Sequence, residues 1–173
     1  MSISLYDASV PGYLNVLRNL SAILDKAEGH AKAGGVDLAT LTEARLAPDM
    51  HPFARQIQMV SDTAKGGAAR LAAAEPPSFP DTETTFPELK ERITKTIAYL
   101  ETIKREAIDG GEERVIELKT PTRTLNFNGR DFLLRFSLPN LYFHAVTAYA
   151  LLRAQGVPLG KMDYLAGAAP PAG

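Results

Sequence analysis

The feature that most constrains the fold is the uncharged stretch Phe136–Leu152, near the end of the chain. A helix through this stretch is apolar on nearly every side, because only scattered polar residues interrupt it. The stretch is shorter than the about 20 apolar residues that a membrane span needs, and it contains Pro139. We therefore expect a helix surrounded by other helices or by a dimer partner, with a kink or split at Pro139.

The composition is typical of a soluble globular protein, since 45% of the 173 residues are hydrophobic and 23% are charged. This length predicts a single domain, which we place at residues 1–165, followed by a flexible tail at 166–173. Nineteen basic residues nearly balance twenty acidic ones without a basic patch, so we expect no nucleic-acid partner. The N-terminus does not resemble a signal peptide, and the chain contains no cysteine. We expect a cytoplasmic protein that does not associate with membranes.

Four segments carry apolar residues at steps of three and four, which predicts four long helices. The second contains Gly66 and Gly67, which we expect to allow close helix packing. Thr85 and Glu88 have the spacing of a capping box at the start of the third helix, and Asp49 is the expected cap of the second. The predicted helices are 10–31, 49–71, 85–104 and 129–153.

Two further segments differ from this helical pattern. Residues 74–85 are rich in proline and are expected to connect the second and third helices. Around Ile116–Leu118 and Leu125–Phe127, apolar residues alternate with polar ones, which predicts a small β-hairpin with its turn at Thr120–Thr122. The expected fold is all-α, a four-helix bundle with a β-hairpin inserted before the last helix.

The last helix carries one imidazole, His144, with Asn140 one turn earlier on the same face. One interpretation is that both side chains are buried and satisfied by hydrogen bonds. The other is a metal site, because ligands at i and i+4 project from one helix face. Asparagine is a poor ligand for zinc and suits calcium or magnesium better. The spacing alone does not decide between these two interpretations.

Other polar residues could line a cleft or simply face solvent. On the second helix a polar stripe recurs at steps of four, three and four residues, beginning at His51. Asp49, just before it, could be a base instead of a cap. Two tyrosines seven residues apart on the last helix could be core, interface or active-site groups. These candidates are His51, Arg55, Gln58 and Asp62 on the stripe, with Asp49, Tyr142 and Tyr149.

Three segments carry a family resemblance: SLYDASVPGYLNVLRNLSAILDKAE, ARLAPDMHPFARQIQ and FHAVTAYALLRAQGVPLGKMDYL. They resemble an uncharacterised bacterial family of unknown function in the DinB/YfiT-like superfamily of four-helix bundles. The resemblance implies an up-down-down-up bundle with a long crossing connection, and homodimers formed through helices. Metal-binding members of the superfamily include thiol-dependent transferases. They hold nickel or zinc with one histidine near the start of the second helix and an HxxxH pair on the last.

Transferred to this chain, the resemblance places His51 and His144 in such a site, with Asn140 replacing the first histidine of the pair. A catalytic zinc uses about three strong protein ligands. We therefore expect a non-catalytic or ligand-binding dimeric module with an incomplete metal site. The alternative is a divalent-metal-dependent enzyme of the thiol-transferase type, with Asp49 or Asp62 as a base. A third hypothesis is a metal-free small-molecule site that combines Tyr142, Tyr149, His51 and Arg55.

Overall fold

The computed structural model describes residues 3–119 and 122–167, which form four long helices, five short helical segments and a two-stranded hairpin. None of the helices in these two ranges is both long and apolar enough to cross a membrane. In chain order the elements are α1 (Val10–Lys32), α2 (Leu38–Glu43), α3 (Phe53–Leu71), α4 (Phe86–Thr102), α5 (Arg105–Ile108), β1 (Val115–Lys119), β2 (Thr124–Asn128), α6 (Gly129–Phe132), a π-helical turn (Leu133–Ser137), α7 (Leu138–Ala154) and α8 (Lys161–Ala166).

Local capping signals locate most of the helix ends as predicted. Pro11 lies in the first turn of α1, and Gly34 follows its end with a φ of 84°. The capping box of α4 is present: the Thr85 N–H donates to Glu88 Oε2 at 2.9 Å, and the Thr85 hydroxyl oxygen accepts from the Glu88 N–H. These features confirm the predicted starts and ends of α1 and α4 to within a few residues.

The predicted cap of the second long helix is wrong. α3 begins at Phe53 with Pro52 as its N-cap residue, and no side chain caps it. Pro52 has an extended backbone, with a ψ of 167°, so the helix begins one residue after it and His51 lies outside α3. Asp49 is therefore exposed in the turn before α3 and makes no cap.

The last helix changes type instead of breaking. The Leu138 N–H donates to the carbonyl of Leu133, five residues back, which is the π-helical spacing. Pro139 follows in the first turn of α7, where its missing N–H removes no α-helical bond. In place of the predicted kink or split at Pro139, the structure has a π-helical turn just before the proline, which continues directly into α7.

The predicted hairpin is confirmed, with β1 and β2 antiparallel and Ile116 opposite Phe127. Phe127 contacts Phe132 and Phe136, with ring centroids 6.0 and 5.8 Å apart. The hairpin therefore covers the start of the last helix. Its predicted turn lies partly outside the described residues, at 120 and 121.

The short helix α8 was not predicted. It packs on α1, where the Asn19 side-chain amide donates to the Tyr164 carbonyl at 2.9 Å and Lys26 pairs with Asp163. Most of the predicted flexible tail, 166–173, lies outside the described residues, although Ala166 itself belongs to α8.

A buried arginine attaches the connection between α3 and α4 to both helices. The side chain of Arg92, on α4, is only 1% exposed. It donates to Asp62 of α3 at 2.8 Å, and to Asp81 and Glu83 of the connection at 3.0 Å each. It also donates to the Pro80 carbonyl at 3.1 Å. A guanidinium can be buried only when it is paired in this way.

We predict that Arg92→Ala lowers the free energy of unfolding by about 3 kcal/mol, because it leaves several carboxylates without their shared cation. Urea unfolding measures this free energy, and Arg18→Ala, measured in the same way, is the matched control. Arg18 pairs with Glu101 at 2.8 Å, but both side chains are half exposed, so its loss should cost less than about 1 kcal/mol. Equal losses in the two variants would contradict a structural role for the buried cluster.

Candidate functional site

His144 lies on the side of α7 that packs against α3, and it is only 5% exposed. Its Nδ1 atom is 2.8 Å from Gln56 Oε1. The Gln56 amide nitrogen donates to the His51 carbonyl at 3.0 Å. Because that carbonyl can only accept, the Gln56 oxygen must accept from the Nδ1–H of His144. The neutral ring therefore carries its proton on Nδ1 and a lone pair on Nε2.

The Nε2 atom of His144 is the reactive position of this cluster. It has no hydrogen-bond partner within residues 3–119 and 122–167, and it is not sealed from solvent. Burial lowers the pKa of His144 below its usual value of 6.5, and the charges of His51 and Arg55 lower it further. The ring is therefore neutral at pH 7, and Nε2 is able to accept a proton, a hydrogen bond or a metal ion.

Asn140 is bonded to a different residue of α3. Its amide nitrogen donates to the Thr63 hydroxyl oxygen at 2.7 Å. His144 and Asn140 are thus held separately, His144 by Gln56 and Asn140 by Thr63. This arrangement agrees with the interpretation of two hydrogen-bonded polar groups inside a helix interface.

These residues do not fit a three-ligand metal site. In the part of the chain that the structure describes, no three His, Asp or Glu side chains lie close enough to hold one ion. The available donors are His144 Nε2, the exposed His51 ring and the neutral oxygen of Asn140. Such a set lacks the third strong ligand of a catalytic zinc site.

Most of the polar stripe on α3 contacts the connection to α4. Arg55 donates to Gln58 Oε1 at 3.0 Å and pairs with Asp81. The Gln58 amide donates to Glu83 at 3.1 Å. Asp62 accepts from the buried Arg92. The stripe is therefore mostly bonded to the connection, although Arg55 and Asp62 also line a groove beside α3.

The structure does not bring the two candidate tyrosines to His51 and Arg55. Tyr149 packs edge-on against Tyr164 of α8, with ring centroids 6.1 Å apart. Tyr142 is 43% exposed. Both lie on other faces of α7 than His144, because positions two and five residues away point in other directions on a helix.

A groove of about 210 Å³ lies between α3, β1 and the π-helical turn; we call it the α3 groove. Its polar lining consists of Arg55, Asp62, Thr63, Arg70, Ser137 and Asn140. Its apolar lining is Met59, Leu118, Phe132 and Phe136. Pockets of this kind, apolar with a few convergent polar groups, are the usual form of small-molecule sites. π-Helical turns also occur frequently at functional sites.

A buried hydrogen bond lies beside the α3 groove and depends on Gly67. The Tyr13 hydroxyl and Ser137 Oγ are 2.7 Å apart. A Cβ atom on Gly67 would lie 2.6 Å from Ser137 Oγ and 2.8 Å from the Tyr13 hydroxyl oxygen. The prediction that this glycine allows close helix packing is confirmed.

Sequence reasoning missed Gln56, Thr63 and Arg70. One signal for Gln56 was available: it shares a helix face with the buried residues Phe53 and Val60, and it is itself buried. A buried amide must find a partner, so its position pointed to a polar contact across the core. No comparable pattern distinguishes Thr63 or Arg70 from ordinary surface residues.

Comparison with known proteins agrees with this fold. The family described as "Domain of unknown function (DUF1993)" matches residues 5–165. No curated protein matches the chain. A crystal structure of a DinB family member protein from Shewanella denitrificans is 40% identical, covers 98% of this chain and 94% of its own, and superposes with a TM-score of 0.86. The chain belongs to the DUF1993 family, an uncharacterised domain family with a DinB-like fold.

Proposed function

We propose that this protein is a non-catalytic, ligand-binding module that functions as a homodimer and retains an incomplete metal site. One observation carries the proposal: the two candidate ligands on α7, His144 and Asn140, are bonded to side chains of α3. His144 is bonded to Gln56, and Asn140 to Thr63. The family resemblance places His144 and Asn140 at positions where metal-binding relatives have metal ligands. A catalytic zinc site uses about three strong ligands, whereas here both side chains are engaged in hydrogen bonds.

The module is an up-down-down-up bundle in this proposal, and pairs of contacts between helices support the order. Contacts between α1 and α4 advance in opposite directions along the two helices, as do those between α3 and α7. Contacts between α3 and α4 advance in the same direction. Between α1 and α4 the contacts are Arg18–Glu101 and Asp25–Lys90. Between α3 and α7 they are Gln56–His144 and Thr63–Asn140. Between α3 and α4 they are Phe53–Phe86 and Ser61–Thr96.

The alternative function is a divalent-metal-dependent enzyme of the thiol-transferase type. The unbonded Nε2 of His144 favours it, because a histidine ligand usually donates its other ring N–H to a fixed acceptor, here Gln56. Nickel or zinc would then be held by His51, His144 and Asn140. The chain has no cysteine, so the reacting thiol would belong to a second molecule.

Metal content distinguishes the two functions. We expect tag-free wild-type protein, incubated with nickel or zinc and then desalted, to retain far less than about one ion per chain by inductively coupled plasma mass spectrometry. Two imidazoles and an amide form too weak a site to survive desalting. His144→Ala should give the same low value.

His30→Ala is the matched control, because His30 lies in the last turn of α1 and is not part of this cluster. Retention of about one ion per chain by wild type and His30→Ala, with loss in His144→Ala, would overturn the binding-module proposal and establish the metal-dependent alternative.

The exposed face of α7 supports a homodimer. Tyr142, Phe143 and Val146 are each 43% to 57% exposed, although they belong to the uncharged stretch of the chain. A contiguous apolar face of this kind marks an interaction surface. A second copy of the same face is a suitable partner, because neither copy carries a charge that would have to be buried.

We predict that Val146→Glu converts the dimer into a monomer, raising the dimer dissociation constant at least about tenfold, because it would bury unpaired carboxylates. Light scattering coupled to size-exclusion chromatography measures the mass directly. Val115→Glu introduces the same charge at an 80% exposed position on β1 and should remain dimeric. A monomeric wild type, or equal behaviour of the two variants, would disprove the α7 interface.

A further inference from the structure

We propose that the α3 groove binds a small molecule with an anionic group, a carboxylate or a phosphate, on a short apolar body. The inference rests on the proposed ligand-binding function and adds the chemical class of the ligand. Arg70 is the residue that would hold the anion, and it belongs to none of the site hypotheses above.

Arg70 is a cation without a carboxylate partner among residues 3–119 and 122–167. One of its N–H groups donates to the Gly66 carbonyl at 2.9 Å, and no other hydrogen bond is made by its side chain within those ranges. A guanidinium has five N–H donors in a planar fork that matches carboxylate and phosphate oxygens. Its remaining donors are therefore available at the groove.

The other charges around the groove are already compensated. Asp62 accepts from Arg92 and Lys65, and Arg55 pairs with Asp81. Arg55 also lies about 22 Å from Arg70 along the axis of α3, since the two are fifteen residues apart. Asp62 also lines the groove, but it lies about 12 Å from Arg70 along the axis of α3 and is already paired, so the end of the groove beside Arg70 is positive.

The remaining lining determines what the anion is attached to. Leu118, Phe132 and Phe136 provide an apolar surface for a short aliphatic or aromatic body. The Thr63 hydroxyl accepts from Asn140, and among residues 3–119 and 122–167 neither its own O–H nor the Asn140 oxygen has another partner, so one can donate and the other accept. A volume of about 210 Å³ restricts the ligand to a small molecule.

Three probes of one shape test the charge requirement: benzoate, phenyl phosphate and uncharged benzamide. We expect at least one of the anions to bind wild type about tenfold or more tightly than benzamide, because charge-assisted hydrogen bonds are the stronger ones. Titrations followed by ligand-observed nuclear magnetic resonance measure all three affinities. The tighter anion identifies whether a carboxylate or a phosphate is preferred.

Variants of Arg70 test whether this residue holds the anion. Arg70→Ala should weaken anion binding about tenfold and leave benzamide binding unchanged, and Arg70→Lys should lie between it and wild type. Arg130→Ala removes the same charge from an exposed position on α6 and should bind like wild type. Thermal unfolding checks that each variant is folded, and if Arg70→Ala is not, the Arg70→Lys titration decides.

Equal affinity for benzamide and both anions, or unchanged anion affinity in the folded Arg70 variants, would overturn the inference while leaving a ligand-binding module intact. Failure of all three probes to bind would also overturn it. The proposed function is tested separately. It fails if wild type retains about one metal ion per chain and His144→Ala does not, and that measurement uses none of the three probes.

Discussion

The burial of Arg92 is the interaction on which the rest of the structure depends. Its guanidinium lies between α3, α4 and the connection that joins them, and carboxylates from two of these elements neutralise it. Such a cluster fixes the rotation of α3, because Asp62 must face Arg92. The side of α3 that carries Gln56 and Thr63 is then directed at α7. The ion pair on one face of α3 thereby helps to orient a second face, which carries Gln56 and Thr63, toward α7.

The α3–α7 interface is polar where metal-binding members of the same superfamily are expected to hold an ion. Gln56 accepts the Nδ1 proton of His144 and so fixes the tautomer of the ring. Asn140 donates to Thr63 and keeps only a neutral oxygen for other partners. The α3 groove begins beside that second pair and extends to Arg70, whose donors are mostly unused. The α3 groove is therefore suited to holding an anion through hydrogen bonds from its side chains, and this binding would not require a metal ion.

The parts of the fold that depend on neighbouring residues could be predicted from the sequence. The Thr85–Glu88 capping box, the helical periodicity of α1 and the alternation in the hairpin are all signals within a few residues. The contacts of His144, Asn140 and Arg92 could not, because each partner lies on another element and side-chain pairing across a core leaves no periodic pattern. α8 was missed for the same reason: six residues carry too little periodicity, and its position depends on α1. Asp49 shows the limit of capping rules, since Pro52 is extended and α3 starts after it, so that Asp49 lies too far from the helix end to cap it.

We infer that the hydrogen bond to Gln56 fixes His144 and that His144 does not hold a metal ion. The ¹⁵N spectrum of its imidazole, assigned by comparison with a His144→Gln variant and recorded during a zinc titration, tests this claim most directly. We expect a neutral Nδ1–H tautomer, with a pKa below the usual 6.5 because of burial, and no change in the signal of either ring nitrogen when zinc is added. A predominant Nε2–H tautomer would contradict the hydrogen bond to Gln56. A shift of the Nε2 signal that saturates at about one zinc per chain would contradict the claim itself.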